Sequence, residues 1–285
     1  MDQNQTILQY LTSLPKFRSG VSKKSYFISH TIPLEIIKKL IHLARQTKQF
    51  IIQTKFYDKN RFPALIQILF SHERTLHIIL IETTHLPNDD SMKFKKIQHL
   101  LHNILLPSNT IYSWDYIEDE LFVFLNTKLF LLHQIQDISL ICVHDKLTDW
   151  LRETFVSVPL FGWDLKTAIA YMFMEDLDAS PTDSDWDIGF YREVRPDHYG
   201  ALLPSGFDHH VRVLPNGPAP IIVPHFDPYR IKYIKYAIHE CVAVNKIVSF
   251  FENPSTRQRV ELFLKMNSSV LPRYKTVSPS ISNVD

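Results

Sequence analysis

The chain has 285 residues, 45% of them hydrophobic, enough apolar material for one large globular domain or two small ones, and too much for a disordered chain. Lys plus Arg number 31 against 30 for Asp plus Glu, so no global field draws it toward nucleic acid or acidic substrates, and any binding groove must arise from local clustering. Cys142 and Cys241 lie far apart, the opening MDQNQTILQYLTSLPKF lacks the basic and apolar regions of a signal peptide, and no apolar run reaches the ~18 residues of a membrane span; a reduced intracellular compartment, cytoplasmic or nuclear, and no membrane partner are expected.

Residues 1–30 are polar and weakly periodic and read as an extension. A helix is expected over 33–48, with Pro33 at its start, Glu35 in its first turn, Ile36, Ile37, Leu40, Leu43 and Ala44 on one face, and Arg45 and Lys48 at its end. Three β-type runs follow, FIIQTKFY (50–57), ALIQILFS (64–71) and HIILIET (77–83), whose short polar or Pro-containing connections leave no room for a crossover helix. They read as an antiparallel meander.

Beyond Pro87 the pattern alternates. KFKKIQHLLHNILL is helical and stops at Pro107, TIYSW (110–114) is a strand, DYIEDELFVFLNT is helical, and ISLICVH (138–144) is a strand followed by helical DKLTDWLRETF and WDLKTAIAYMFME. This alternation implies parallel strands with right-handed crossovers beside the meander. The stretch 187–228, rich in Asp, Pro, Gly and His, reads as an elaborated insertion, 229–251 returns to helical spacing through Ile234, Ala237, Ile238, Cys241 and Val242, and 266–285 reads as a disordered tail. The expected domain therefore runs over 31–265. Its fold class is α/β, with a five-stranded mixed sheet made of the three-strand meander plus two parallel strands and flanked by helices.

Over about residues 34–252 the order of these pieces resembles the ribonuclease D-like 3'-5' exonuclease domains of the ribonuclease H-like class. The resemblance is carried most by WDLKTAIAYMFMEDLDASPTDSDW (163–186) and YAIHECVAVNKI (236–247), and less by PALIQILF (63–70) and TIYSWDYIEDELFVF (110–124). It implies phosphodiester hydrolysis by two divalent cations, Mg2+ or Mn2+, held ~3.5–4 Å apart by convergent carboxylates. The family's first strand carries an Asp and a Glu two residues apart, on one face; here Gln53 and Lys55 occupy those places. An amide is a weak ligand for a hard cation, and a lysine sets a positive charge where the cations belong.

Glu120, or Asp119 under a one-residue shift, stands for the second acidic motif. Tyr236 and Glu240 stand for the last, with glutamate in place of the family's aspartate, the tyrosine's implied role being to orient water. The implied metal ligands are thus reduced to Glu120 and Glu240. The resemblance implies a nucleic-acid-binding protein, of DNA or RNA, with lost or weakened hydrolysis. An active exonuclease with a rebuilt carboxylate site, using Asp58 for example, and a protein-interaction module built on 187–228 stay open beside it.

Each of these features also suits an ordinary structural role. Asp115, Glu118, Asp119 and Glu120 also suit a solvated helix start, and Tyr236 and Glu240 a surface helix. His198, His209, His210 and His225, with Asp197, Asp208 and Asp227, offer transition-metal ligands or ordinary loop residues. Tyr229, Arg230, Lys232, Tyr233 and Lys235 suit phosphate contact and base stacking, whereas Lys93, Lys95 and Lys96 read as a solvated face.

Overall fold

A computed structural model describes residues 13–18, 20–56, 62–155, 163–179, 186 and 228–266. The strands are β1 (Lys23–Ile28), β2 (Gln49–Phe56), β3 (Pro63–His72), β4 (Thr75–Glu82), β5 (Thr110–Ser113) and β6 (Ser139–Cys142). The α-helices are α1 (Leu34–Arg45), α2 (Met92–Ile104), α3 (Ile117–Phe124), α4 (Leu132–Gln136), α5 (Val143–Thr154), α6 (Leu165–Phe173), α7 (Pro228–Glu252) and α8 (Pro254–Met266). None of them is long and apolar enough to cross a membrane.

The expected antiparallel meander is present: β2 pairs with β3 and β3 with β4. The β3–β4 connection is a two-residue turn in which Glu73 (φ 47°) and Arg74 (φ 62°) both adopt the left-handed backbone, the geometry that matches strand twist in a tight hairpin. β5 and β6 extend the sheet in parallel beside β2. The full order is β1-β4-β3-β2-β5-β6, so the mixed sheet has six strands and not the five expected.

The additional strand, β1, runs parallel to β4 along the outer edge of the meander. Its sequence KKSYFI begins with two exposed lysines and buries only Ile28 fully. An edge strand packs on one neighbour and keeps charge on its free side to discourage pairing with other chains, so its apolar alternation is weak. Tyr26 anchors it, stacking on His77 of β4 and meeting that ring's Nδ1 through its hydroxyl at 3.2 Å.

Two cores lie on the two faces of the sheet. One contains Phe50 and Ile52 of β2 and Ile66, Ile68 and Phe70 of β3 and is covered by α1 to α4. α1 buries Ile37, Leu40, Ile41 and Leu43, and α2, capped by Ser91 accepting from the Phe94 amide at 3.1 Å, buries Phe94, Ile97, Leu100 and Leu101. The other core contains Ile51, Leu65 and Leu69 and is covered by α5 to α8. Trp150 of α5 packs edge-on against Phe250 of α7 there, with ring centroids 4.8 Å apart. The N-terminal segment joins this core through Phe17, held by its amide to the Asp176 carbonyl at 2.9 Å and by a Lys16–Asp176 ion pair.

The Asp176 carboxylate is buried, and desolvation alone would raise its pKa, but its bonds to Lys16 and Lys166 outweigh that and hold it below the usual range. Neighbouring Glu175 pairs with Lys246 of α7 at 2.6 Å. These acids therefore tie the α6 exit to its surroundings. The insertion up to residue 227, with its histidines, and the tail beyond Met266 lie outside the described residues, as does Asp58.

Candidate functional site

Near the C-terminal end of β2, side chains alternate between the two faces of the sheet. Ile51, Gln53 and Lys55 point to the face covered by α7, and Phe50, Ile52 and Thr54 to the face covered by α3. The β2–β3 ladder slips between Lys55 and Phe56, so Lys55 stands beside a strand irregularity of the kind that re-aims side chains. Gln67 lies directly opposite Gln53 on β3. Across from them α7 presents Tyr236, Glu240 and Cys241, and the interval from Tyr236 to Glu240 places phenol and carboxylate one turn apart.

These groups form one buried network around Glu240. The Lys55 ammonium donates to Glu240 Oε1 at 2.6 Å, the Tyr236 hydroxyl donates to the same oxygen at 3.2 Å, and the Gln67 amide donates to Oε2 at 3.1 Å. Cys241 Sγ donates to Gln67 Oε1 at 3.4 Å, which fixes the amide. Both Glu240 oxygens are thus bonded. The ammonium also lies 5.2 Å from the Tyr236 ring centroid and 5.8 Å from that of Trp186, in cation–π geometry.

The Lys55 and Glu240 side chains are only 13% and 10% exposed. Burial by itself depresses a lysine pKa, yet attraction to Glu240 and Tyr236, the hydrogen bond to Glu240 and a weaker pull from Glu120 raise that of Lys55 above 10.5. The lysine is charged throughout the neutral range. Burial, then the nearby Glu240 charge, push the Cys241 thiol well above its usual range, so it acts as a packed hydrogen-bond donor and not as a nucleophile. Gln53 is buried, and its amide nitrogen meets no hydrogen-bond partner among the described residues.

Glu120 goes elsewhere. It sits on α3 and accepts from the Thr54 hydroxyl, on the face of β2 opposite Lys55 and Glu240. Asp119 and Asp115 are exposed at the start of this segment. Partial desolvation raises the Asp115 pKa, with Glu240 adding to the rise and His144 and Lys55 opposing it. The structure thus brings together Lys55, Tyr236 and Glu240 of the residues singled out in the sequence, with Gln53 alongside, and keeps Glu120 apart.

On α7, one turn before the network, Lys232 and Lys235 are exposed and Tyr233 is half-buried with its ring 5.5 Å from Trp186. The side chains of Tyr229 and Arg230 lie outside the described residues. Lys93 donates to the His30 carbonyl at 2.6 Å, a structural contact. Sequence reasoning missed Gln67 and Cys241. The available signal was a glutamine inside the apolar strand ALIQILF, since a buried polar side chain in an otherwise apolar run must have a partner.

No protein-family profile matches the chain, and no curated protein matches it. Among solved structures the chain is similar to RNase D of Trypanosoma brucei, at 9% sequence identity and a TM-score of 0.46, covering 86% of this chain and 71% of that one.

Proposed function

We propose that the chain is a ribonuclease H-like protein of the ribonuclease D type that binds nucleic acid and does not hydrolyse it. The order β4-β3-β2-β5-β6, an antiparallel meander extended by two parallel strands beside its first strand, supports the fold reading. One observation carries the functional reading: the 2.6 Å contact between the Lys55 ammonium and Glu240. Two-cation hydrolysis needs several carboxylates converging on the metals. Here the carboxylate of the last motif is consumed by an internal ammonium, the first-strand acids are replaced by Gln53 and Lys55, and Glu120 is engaged on the other face of β2.

These residues do not fit a Mg2+ or Mn2+ pair. A dication at Glu240 would have to displace the lysine from a nearly dry pocket, and the charged lysine would then repel it at close range. The Tyr236 hydroxyl, which in the exonucleases serves water positioning, is spent on Glu240 Oε1. Lys232 and Lys235 remain available on the solvent side of α7 to meet phosphates.

The test uses the full chain with 5'-labelled single-stranded RNA and DNA that carry free 3' hydroxyls. Binding that weakens with salt, with no shortening in Mg2+ or Mn2+, is expected. Metal-dependent shortening that is lost in Glu240→Ala would overturn the proposal, as would the absence of binding to either strand.

A further inference from the structure

A second group of reactive side chains gathers where the parallel strands β5 and β6 end. Cys142 closes β6, and His144 and Asp145 follow in the first turn of α5; one donor atom from each lies within 4.8 Å of the other two. Trp114, buried just beyond β5, organises the first two. Its carbonyl accepts from the His144 amide at 3.0 Å and from Cys142 Sγ at 3.5 Å, and its ring packs edge-on against the imidazole at 5.4 Å. The Tyr116 hydroxyl donates to Asp145 and fixes the carboxylate.

Three donors of different type, each oriented by a neighbour, form the arrangement that metal sites require. We propose that Cys142, His144 and Asp145 bind one divalent transition-metal ion of the zinc class, at a site separate from the Lys55–Glu240 network. A thiolate with an imidazole and a carboxylate selects zinc or cobalt over magnesium or calcium, which take oxygen donors alone. Metal–ligand bonds of ~2.0–2.3 Å place donor atoms less than ~4 Å apart, so closure requires movements on the order of 1 Å, within the reach of side-chain rotation. The Cys142 proton leaves to solvent as the thiolate forms. The His144 and Asp145 side chains are 29% and 45% exposed, which leaves a coordination position open to water.

The full chain, stripped of metal by a chelator, is titrated with cobalt(II) and then zinc. One equivalent of cobalt with a thiolate-to-metal charge-transfer band, displaced by zinc and not by magnesium, is expected. Cys142→Ser should abolish the band and weaken zinc binding at least ~10-fold, and His144→Ala should weaken it comparably. Cys241→Ala should keep the band, and so should a variant with His198, His209, His210 and His225 replaced by alanine, which removes the competing imidazoles of the insertion. No band in the wild-type chain, or a band that survives Cys142→Ser, overturns the proposal. Should Cys142→Ser fail to fold, His144→Gln with a native circular dichroism spectrum decides the matter: undiminished cobalt affinity overturns it.

Discussion

The two faces of β2 are built on opposite principles although their residues alternate along one strand. On the α1–α4 side, Phe50 and Ile52 join Ile66, Ile68 and Phe70 in a dry apolar layer, with Thr54 and its bond to Glu120 only at the end. On the α7 side, Ile51 gives way to Gln53 and Lys55, which with Gln67, Glu240, Tyr236 and Cys241 make a buried polar cluster. The apolar face draws its stability from area removed from water and close packing. The polar face holds together only while each charge keeps its partner, because desolvation of two ions offsets much of their attraction. A face that gains little from its ion pair can retain it for what the pair does, whereas the other face has only packing to optimise.

The contrast is broken most directly by Glu240→Leu, which strands the Lys55 ammonium in its pocket. A loss of about 3–5 kcal/mol is expected in denaturant unfolding. The double variant Lys55→Met with Glu240→Leu should recover most of it, because two apolar side chains of similar volume carry no desolvation penalty; a double variant as unstable as the single one would show that the pair stabilises in its own right. On the dry face Ile68→Ala should cost about 2–5 kcal/mol through lost transfer energy and the cavity left behind, and no second substitution in the polar cluster should restore it.

Gln53→Met tests the weakest element of the polar face. Since its amide nitrogen is buried without a partner among the described residues, removing it should leave stability unchanged or raise it by about 1 kcal/mol. A clear destabilisation would mean that the amide has a polar contact beyond those residues.

The smallest effect is the response to pH. Burial is the main cause that lowers the pKa of His77 and His239, so the unfolded chain takes up protons from 6.5 downward that the folded chain refuses until lower pH. The thermal midpoint should therefore fall as pH drops below 6.5. Lys55 contributes at the other limit: with its folded pKa raised, its share of stability is fully present below 10.5 and is lost as pH rises through the higher folded value. Between these limits neither group should move the midpoint.

The meander was legible because its three strands are rich in Ile, Leu and Phe with connections too short for helices, and the later alternation was legible because helix and strand periods differ. β1 was not, since an edge strand with KKSYFI has little apolar alternation. Nor was α8, where only Leu264 is fully buried and the amphipathic signal is correspondingly faint. At the candidate site, the presence of Gln53 and Lys55 in one strand and of Tyr236 and Glu240 in one helix could be read directly, together with which pairs share a face.

The sequence alone therefore determined composition, periodicity and local spacing, because these depend only on neighbours along the chain. Tertiary structure decided who meets whom: that Lys55 crosses 185 positions to Glu240 and Thr54 crosses 66 to Glu120, on opposite faces of one strand. A one-residue step along β2 reverses the face, and which helix covers each face is set by packing of the whole sheet. Ion pairing in the buried site is accordingly a property of the assembled layers.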